Sequence, residues 1–508
     1  MDIILSIDLG TTGLKTGLVN TNGQVEASAS ADYPIDTPEP GYAEQDPERW
    51  WRALIACCKS LKDSHARLFS QIVGIGICGQ MHTQAHLDSS LQIVRPAITW
   101  MDQRSSSIAG LINRDRSKKA SVFAETQNVA TTTYTALHLK WIKDNQPDLW
   151  SAIAHVLVAK DFLKYRLTGE MATDYSDASG TLLFNVRERR WSETMLELFG
   201  VPGSFLPEAR PSDEIIGAVT GEAARATGLR AGTPVANGSA DCSTAALGAG
   251  MVESGQVTLI VGTAGVVAAC ADRPLPDARD RTICWNYCLR DKWVMMGVTQ
   301  TAGESLNWFR SAFDKDGSPG QGSGDIFEQY NSAIRGIPDG SGGLIFLPYL
   351  NGERTPYWDA NARGVFFGIN LGTRKAHFIK AIMEGVSFAL RNCLETLESL
   401  GITTSQIVAV GGGLKSEAWL NILGKILRRP IRTTGFTDTG LVGNMLICAR
   451  ALGSIPSIPE AVIKICAYDR QFYHAHPHAQ YEKQYEQFLE LYDNLRERFR
   501  QAQTVSGE

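Results

Sequence analysis

Two aspartates stand where a phosphoryl-transfer site would need them. Asp241 lies in Asn237-Gly238-Ser239-Ala240-Asp241-Cys242-Ser243-Thr244. Before it, 232–236 reads as a short buried strand leaving a turn; after it, 245–250 is small and helix-compatible. A carboxylate at a strand-to-helix junction faces the ligand crevice of an α/β sheet. With only small neighbours, it could approach a substrate hydroxyl and take its proton during attack on phosphorus. The position also suits a helix N-cap. Asp8 ends the first apolar strand and opens Asp8-Leu9-Gly10-Thr11-Thr12-Gly13-Leu14-Lys15. The N–H groups and hydroxyls of that turn could hold a polyphosphate, and Asp8 could position a hydrated magnesium ion. The turn is not a Walker loop, because the GxxxxGK[ST] spacing is missing, and a plain hairpin reads as well.

Other candidates follow strand ends. His82, in Gly79-Gln80-Met81-His82-Thr83, could bond a sugar hydroxyl or be an ordinary core histidine. In Trp100-Met101-Asp102-Gln103-Arg104, Trp100 offers a flat apolar face and Asp102 an acceptor pair for a polyol; a surface ion pair beside a packed Trp is the alternative. The run 256–261 followed by Gly262-Thr263-Ala264-Gly265 repeats the plan of the N-terminus, so two related halves could clamp one phosphate tail, or a common turn has simply recurred. Gly411-Gly412-Gly413 after an apolar strand lets backbone lie against a planar ligand or a phosphate, or makes a tight strand–helix turn.

The elements that position these groups are readable in outline. Asp46-Pro47 opens a helix running to about residue 62, with Asp46 as N-cap and Pro47 at the first helical position. Asn22-Gly23 makes a hairpin turn. Helices are expected over 135–145 and 158–167, the second stopping at Thr168-Gly169. The polar, small run 172–180 reads as a loop and lid contact, 202–211 as irregular, and 346–356 as a charged surface loop. The glycine- and serine-rich stretch 317–324 reads as a mobile surface loop. Tyr481, Tyr485, Phe488, Tyr492, Leu495 and Phe499 form the apolar face of a helix that packs on the body, with a homodimer seam as the alternative. His474, His476 and His478 are interrupted by Pro477 and read as a solvated loop, not a metal cluster.

The 508 residues exceed one ordinary core, so at least two domains are expected. Forty-nine basic against 54 acidic residues leave a net charge of -5, which excludes bulk nucleic-acid binding. No apolar run spans a bilayer, and the first residues lack the basic region of a signal peptide. Ten scattered cysteines without a CxxC pair fit reduced thiols in the cytoplasm.

Taken in order, Asp8-Leu9-Gly10-Thr11-Thr12, Gly79-Gln80-Met81-His82, Trp100 to Arg104, Lys160-Asp161-Phe162-Leu163, Gly352-Glu353-Arg354-Thr355-Pro356 and Gly411-Gly412-Gly413 resemble the FGGY carbohydrate kinases over nearly the whole length, most closely their xylulokinase branch. The resemblance implies an α/β fold of two actin-like ATPase (ribonuclease H-like) domains with an interdomain cleft. The boundaries expected are 1–240 for sugar, 241–470 for nucleotide, and 471–508 for the terminal helix. It implies ATP and magnesium as cofactors, and Asp241 as the base that serves phosphorylation of a sugar hydroxyl. Met81, His82, Trp100 and Asp102 become sugar contacts, and Asp8 the magnesium-organising carboxylate. Thr11, Thr12 and Lys15 fall in one phosphate turn, Gly262 and Thr263 in the other. Gly303 and Asn307 become nucleotide contacts, with Gly412, Gly413 and Ser416 on the adenine side. Ala240-Asp241-Cys242, Met101, Thr83 and Gly440-Leu441-Val442-Gly443-Asn444 depart from the xylulokinase pattern, the last toward rhamnulokinases. Tyr357 to Arg363 is similar to gluconate kinases. The sugar therefore stays open at this point. The rival from another class is an actin- or chaperone-like ATPase, which would need both phosphate turns but no sugar contacts.

Overall fold

The computed structural model describes residues 2–314, 326–436, 438–466, 468–474 and 476–506. The stretch 317–324 read as a mobile loop lies outside them.

Two mixed sheets repeat one plan. In the first, Ile3–Leu9 runs antiparallel to Gly13–Asn20, which the Asn22-Gly23 turn joins to Val25–Asp32. Ile3–Leu9 also pairs in parallel with Ile72–Gly79, beyond which lie Pro234–Ala236 and Ile215–Ala218. In the second, Gln256–Val261 runs antiparallel to Gly265–Ala271 and parallel to Gln406–Val410. Trp293–Thr299 and Ile283–Asn286 extend one side, Ile431–Thr434 and Tyr468–Phe472 the other. The recurrence of strand, Gly-Thr turn and strand is thus a repeat of architecture and not of a turn alone.

The central strands are apolar in continuous runs because both faces are covered. Ile3, Ile4, Leu5, Ile7 and Leu9 are all buried. The helix Pro47–Ser64 covers one face with Trp50, Trp51, Leu54, Cys57, Cys58 and Leu61, spaced at three and four residues. Its Asp46 cap accepts from Glu48 N at 3.0 Å. On the second sheet the corresponding layer is the helix Lys375–Glu398, on which the helix Ala479–Ser506 lays Tyr481, Tyr485, Phe488 and Tyr492.

Two helices stand between the sheets. Asp241–Gly248 follows the first sheet, and Thr439–Ala451 returns from the C-terminal half to pack on it. Ser6 Oγ donates to Leu441 O at 2.8 Å, and Asn444 Nδ2 to Ile7 O at 2.8 Å. The helices cross where glycine alone fits. A Cβ on Gly443 would lie 2.1 Å from Thr244 O, and one on Gly248 1.8 Å from Thr439 O.

Three expectations are corrected. The run 172–180 is no lid loop: Ala172–Asp174 is a strand and Tyr175–Ser179 a helix, nearly all buried. Its acids face inward because Lys160 Nζ lies 3.0 Å from both Asp174 and Asp177. Residues 202–211 include the strand Glu208–Arg210, which pairs with Ala172–Asp174. In 346–356, Glu353 and Thr355 are buried, so this segment is not a surface loop. In 172–180 and 346–356 polarity marked internal pairing where an exposed loop was expected. No described helix is long and apolar enough to cross a membrane, and the ten cysteines are unpaired thiols, most of them buried.

Candidate active site

Asp241 is held by its surroundings before it meets any ligand. Ser239–Ala240 adds in parallel to Ile72–Gly79, which fixes the strand end. Gly238 turns the chain at φ +76°, and a Cβ there would meet Ile77 O at 1.9 Å. Ala240 N donates to Ser176 Oγ at 3.0 Å. Buried Lys164 donates to Asn237 O at 2.9 Å and to Asp161 at 2.9 Å, while Asn237 Nδ2 donates to Thr173 O at 2.9 Å. The Lys160-Asp161 motif is therefore scaffold for the Asp241 turn. Asp241 is not an N-cap, since that position is Ala240 and carries no side-chain bond. Its Oδ1 accepts from Cys242 N at 2.6 Å. Burial, and next the charge of Asp8, push its pKa up to about 7.

A cavity of about 820 Å³ opens over this carboxylate, lined by Asp8, Gly10, Asp241, Gly411, Gly412, Lys415 and Asp438 among others. Burial and the nearby Asp438 raise Asp8 to about 6. Lys15 pairs with Asp438, so this predicted phosphate contact is engaged by a carboxylate. Among the described residues no three His, Cys, Asp or Glu side chains converge closely enough to ligate a metal directly. Three carboxylates around one cavity, two with pKa values raised first by burial and then by a neighbouring carboxylate, instead fit a cation that keeps its water shell, as magnesium does.

A second cavity, about 410 Å³, gathers Gly262, Thr263, Gly303, Asn307, Gly412, Gly413 and Ser416, with Met383 and Trp419 as apolar walls. It shares Gly412 and Lys415 with the first. Gly303 N donates to Gly262 O and Ala302 N to Thr263 O, both at 2.8 Å, which locks the second Gly-Thr turn to the helix Gly303–Phe313. The nucleotide residues expected from sequence are thus brought together, apart from the first turn. There Thr11 Oγ1 accepts from Trp100 Nε1 at 3.0 Å, and Thr12 is exposed.

A third cavity, about 240 Å³, has His82, Gln103 and Tyr134 on one wall and Trp285, Gln300, Arg354 and Trp358 on the other. His82 Nδ1 meets Gly180 O. A carbonyl can only accept, so Nδ1 carries the proton and Nε2 keeps its lone pair. Burial drops the His82 pKa to about 3, so the ring is neutral. Met81 Sδ lies 3.5 Å from Cys242 Sγ, which places His82 one residue along from the Asp241 turn.

Asp102 does not reach this cavity as an open acceptor. It is fully buried; Oδ1 accepts from Arg104 N and Nε at 2.9 and 2.8 Å, Oδ2 from Ala43 N and Arg104 Nη2 at 2.6 and 2.8 Å. All four lone pairs are taken, so the polyol contact expected of it is not made here, and Trp100 likewise spends its N–H on Thr11. Sequence reasoning missed Asp438, Lys415 and Arg354. Asp438 is signalled only as the N-cap of Thr439–Ala451, where it accepts from Leu441 N at 3.0 Å.

The family model for the FGGY family of carbohydrate kinases, N-terminal domain, matches residues 3–248, and that for the C-terminal domain 257–452. The chain is 32% identical over 495 residues to the xylulose kinase of Bacillus subtilis (strain 168), covering 97% of each. The structure of ligand-bound xylulose kinase from Lactobacillus acidophilus gives a TM-score of 0.90 at 27% identity over 97% of this chain and 98% of that one. The gluconate kinase structure from the same organism also gives 0.90 at 27%, over the same shares. With both halves matched, the chain belongs to the FGGY family of carbohydrate kinases, phosphotransferases that act on sugar hydroxyl groups.

Proposed function

We propose that the protein transfers the γ-phosphate of ATP to D-xylulose, giving D-xylulose 5-phosphate, and does so in the cytoplasm. The observation that carries this reading is the place of Asp241. It lies under the cavity that joins the nucleotide residues, it titrates near neutrality, and its neighbour Cys242 touches Met81 beside His82.

In this reading the sugar lies between His82 and Asp241. Asp241 accepts the hydroxyl proton as the sugar oxygen bonds to the γ-phosphorus and the bond to the ADP oxygen breaks. The second Gly-Thr turn and Lys415 would stabilise the charge on the phosphate oxygens. Asp8 and Asp438 would hold magnesium through water, and the ion would neutralise charge on the phosphate tail. Asp102 acts as a positioning residue, clamping Arg104 and the Ala43 segment. We assign the adenine to the 410 Å³ cavity, which Met383 and Trp419 help to line.

The test is ADP release coupled to a dye, with D-xylulose added or withheld. Sugar-dependent ADP formation is expected. Release that no sugar stimulates would favour the protein-switching ATPase. Asp241→Asn should retain ATP binding by calorimetry and lose turnover on the order of 10²–10⁴-fold; a variant at wild-type rate removes Asp241 from its role.

A further inference from the structure

Arg354 has no role in the proposed phosphoryl transfer. Its guanidinium makes no hydrogen bond or ion pair among the described residues, and burial depresses its pKa. Its neighbour Glu353 acts on it through charge but makes no side-chain hydrogen bond to it. Glu353 Oε2 accepts from Thr299 Oγ1 at 2.7 Å, and Oε1 accepts from Gln300 N at 3.0 Å and Arg354 N at 2.7 Å. Its five N–H donors sit on a half-buried side chain with no hydrogen-bond acceptor among the described residues, so they are available to a ligand oxygen.

Arg354 lines the 240 Å³ cavity together with His82, Gln103, Tyr134, Gln300 and Trp358. Trp358 carries a buried indole N–H that also lacks a partner among the described residues. Backbone strain marks both walls: His82 has φ +67° and Trp358 φ +47°, a region that residues with a side chain seldom occupy. The donors thus come from one half of the chain, and the free acceptor, His82 Nε2, from the other.

We propose that this cavity is the subsite for the end of an open-chain sugar remote from the phosphorylated hydroxyl. Arg354 donates to a carbonyl-type oxygen there, and His82 Nε2 accepts from the adjoining hydroxyl. A ketose carbonyl and an aldonate carboxylate share that chemistry. The proposal rests on the sugar-kinase reading and makes Arg354 a substrate-positioning residue.

Steady-state kinetics of Arg354→Met and Arg354→Lys test it, with D-xylulose, D-gluconate and xylitol, a polyol with no carbonyl, as acceptors. For whichever carbonyl-bearing acceptor the wild type uses, Arg354→Met should raise KM roughly 10–100-fold, the range for a hydrogen bond to a charged group. KM for ATP and the melting temperature should hold, and Arg354→Lys should restore part of the loss. Xylitol should be as poor an acceptor for the wild type as for Arg354→Met. If Arg354→Met keeps the wild-type KM for the acceptor, or if KM for ATP rises equally, the subsite is wrong while the kinase reading stands. A wild type that phosphorylates none of the three overturns both.

Discussion

Asp241 is an aspartate whose proton sits at the wrong pH for an ordinary carboxylate. Its pKa of about 7 comes first from burial and then from Asp8, so the folded site binds a proton that a solvated aspartate would have lost. Only the deprotonated form can accept the sugar proton. With both substrates well below saturation, the rate should therefore fall about tenfold per pH unit below about 7 and level off above it. A limb near 4, seen by the same coupled assay, would mean that Asp241 is solvated or is not the base. At this scale the sequence was readable where a residue type limits its own chemistry. An acid after a strand and a Gly-Thr turn each say what they can bind. Asp102 and Arg354 were opaque because their roles are set by partners. Asp102 is spent on Arg104 two residues away, while Arg354 lacks the partner that its neighbour Glu353 would have supplied.

The elements that carry these residues were legible when their pattern was local. The helix Thr135–Asn145 and the strand Gln256–Val261 follow from periodicity and turn residues alone. The run 172–180 did not, because nothing local says that Asp174 and Asp177 will find Lys160. That buried network holds the Asp241 turn. Lys164 gives its protons to Asp161 and to both oxygens of Asn237. Lys164→Met would leave Asp161 with one lysine instead of two and the Asn237 oxygens without donors. Breaking a buried charged network from one side costs about 3–5 kcal/mol. Urea unfolding should show that loss, and kcat should drop with it because the Asn237 turn no longer fixes Ala240. An unfolding midpoint equal to wild type would show that the network does not support the turn.

In the whole molecule, the two sheets are joined through the crossing of Asp241–Gly248 with Thr439–Ala451. The second of these helices comes from the far half of the chain and is bonded to Ser6 and Ile7 on the first sheet. The helix that starts with the proposed base is therefore seated by a helix whose cap, Asp438, faces the same cavity. Gly443 sets their separation: a Cβ would lie 2.1 Å from Thr244 O, a backbone atom with no rotamer to yield. Gly443→Ala must push the helices apart, at about 1–3 kcal/mol for overpacking. The larger effect should be on rate, since Asp241 sits one turn before Thr244, and about 1 Å of misplacement costs on the order of 100-fold. Calorimetric ATP affinity should change little, because the adenine cavity is built from the second sheet's own elements. Gly336→Ala is the control, as nothing lies within 4 Å of its added Cβ. If Gly443→Ala turned over like Gly336→Ala, the crossing would be mere packing. A selective loss of kcat would mean that the spacing of two helices from opposite halves tunes the position of one carboxylate.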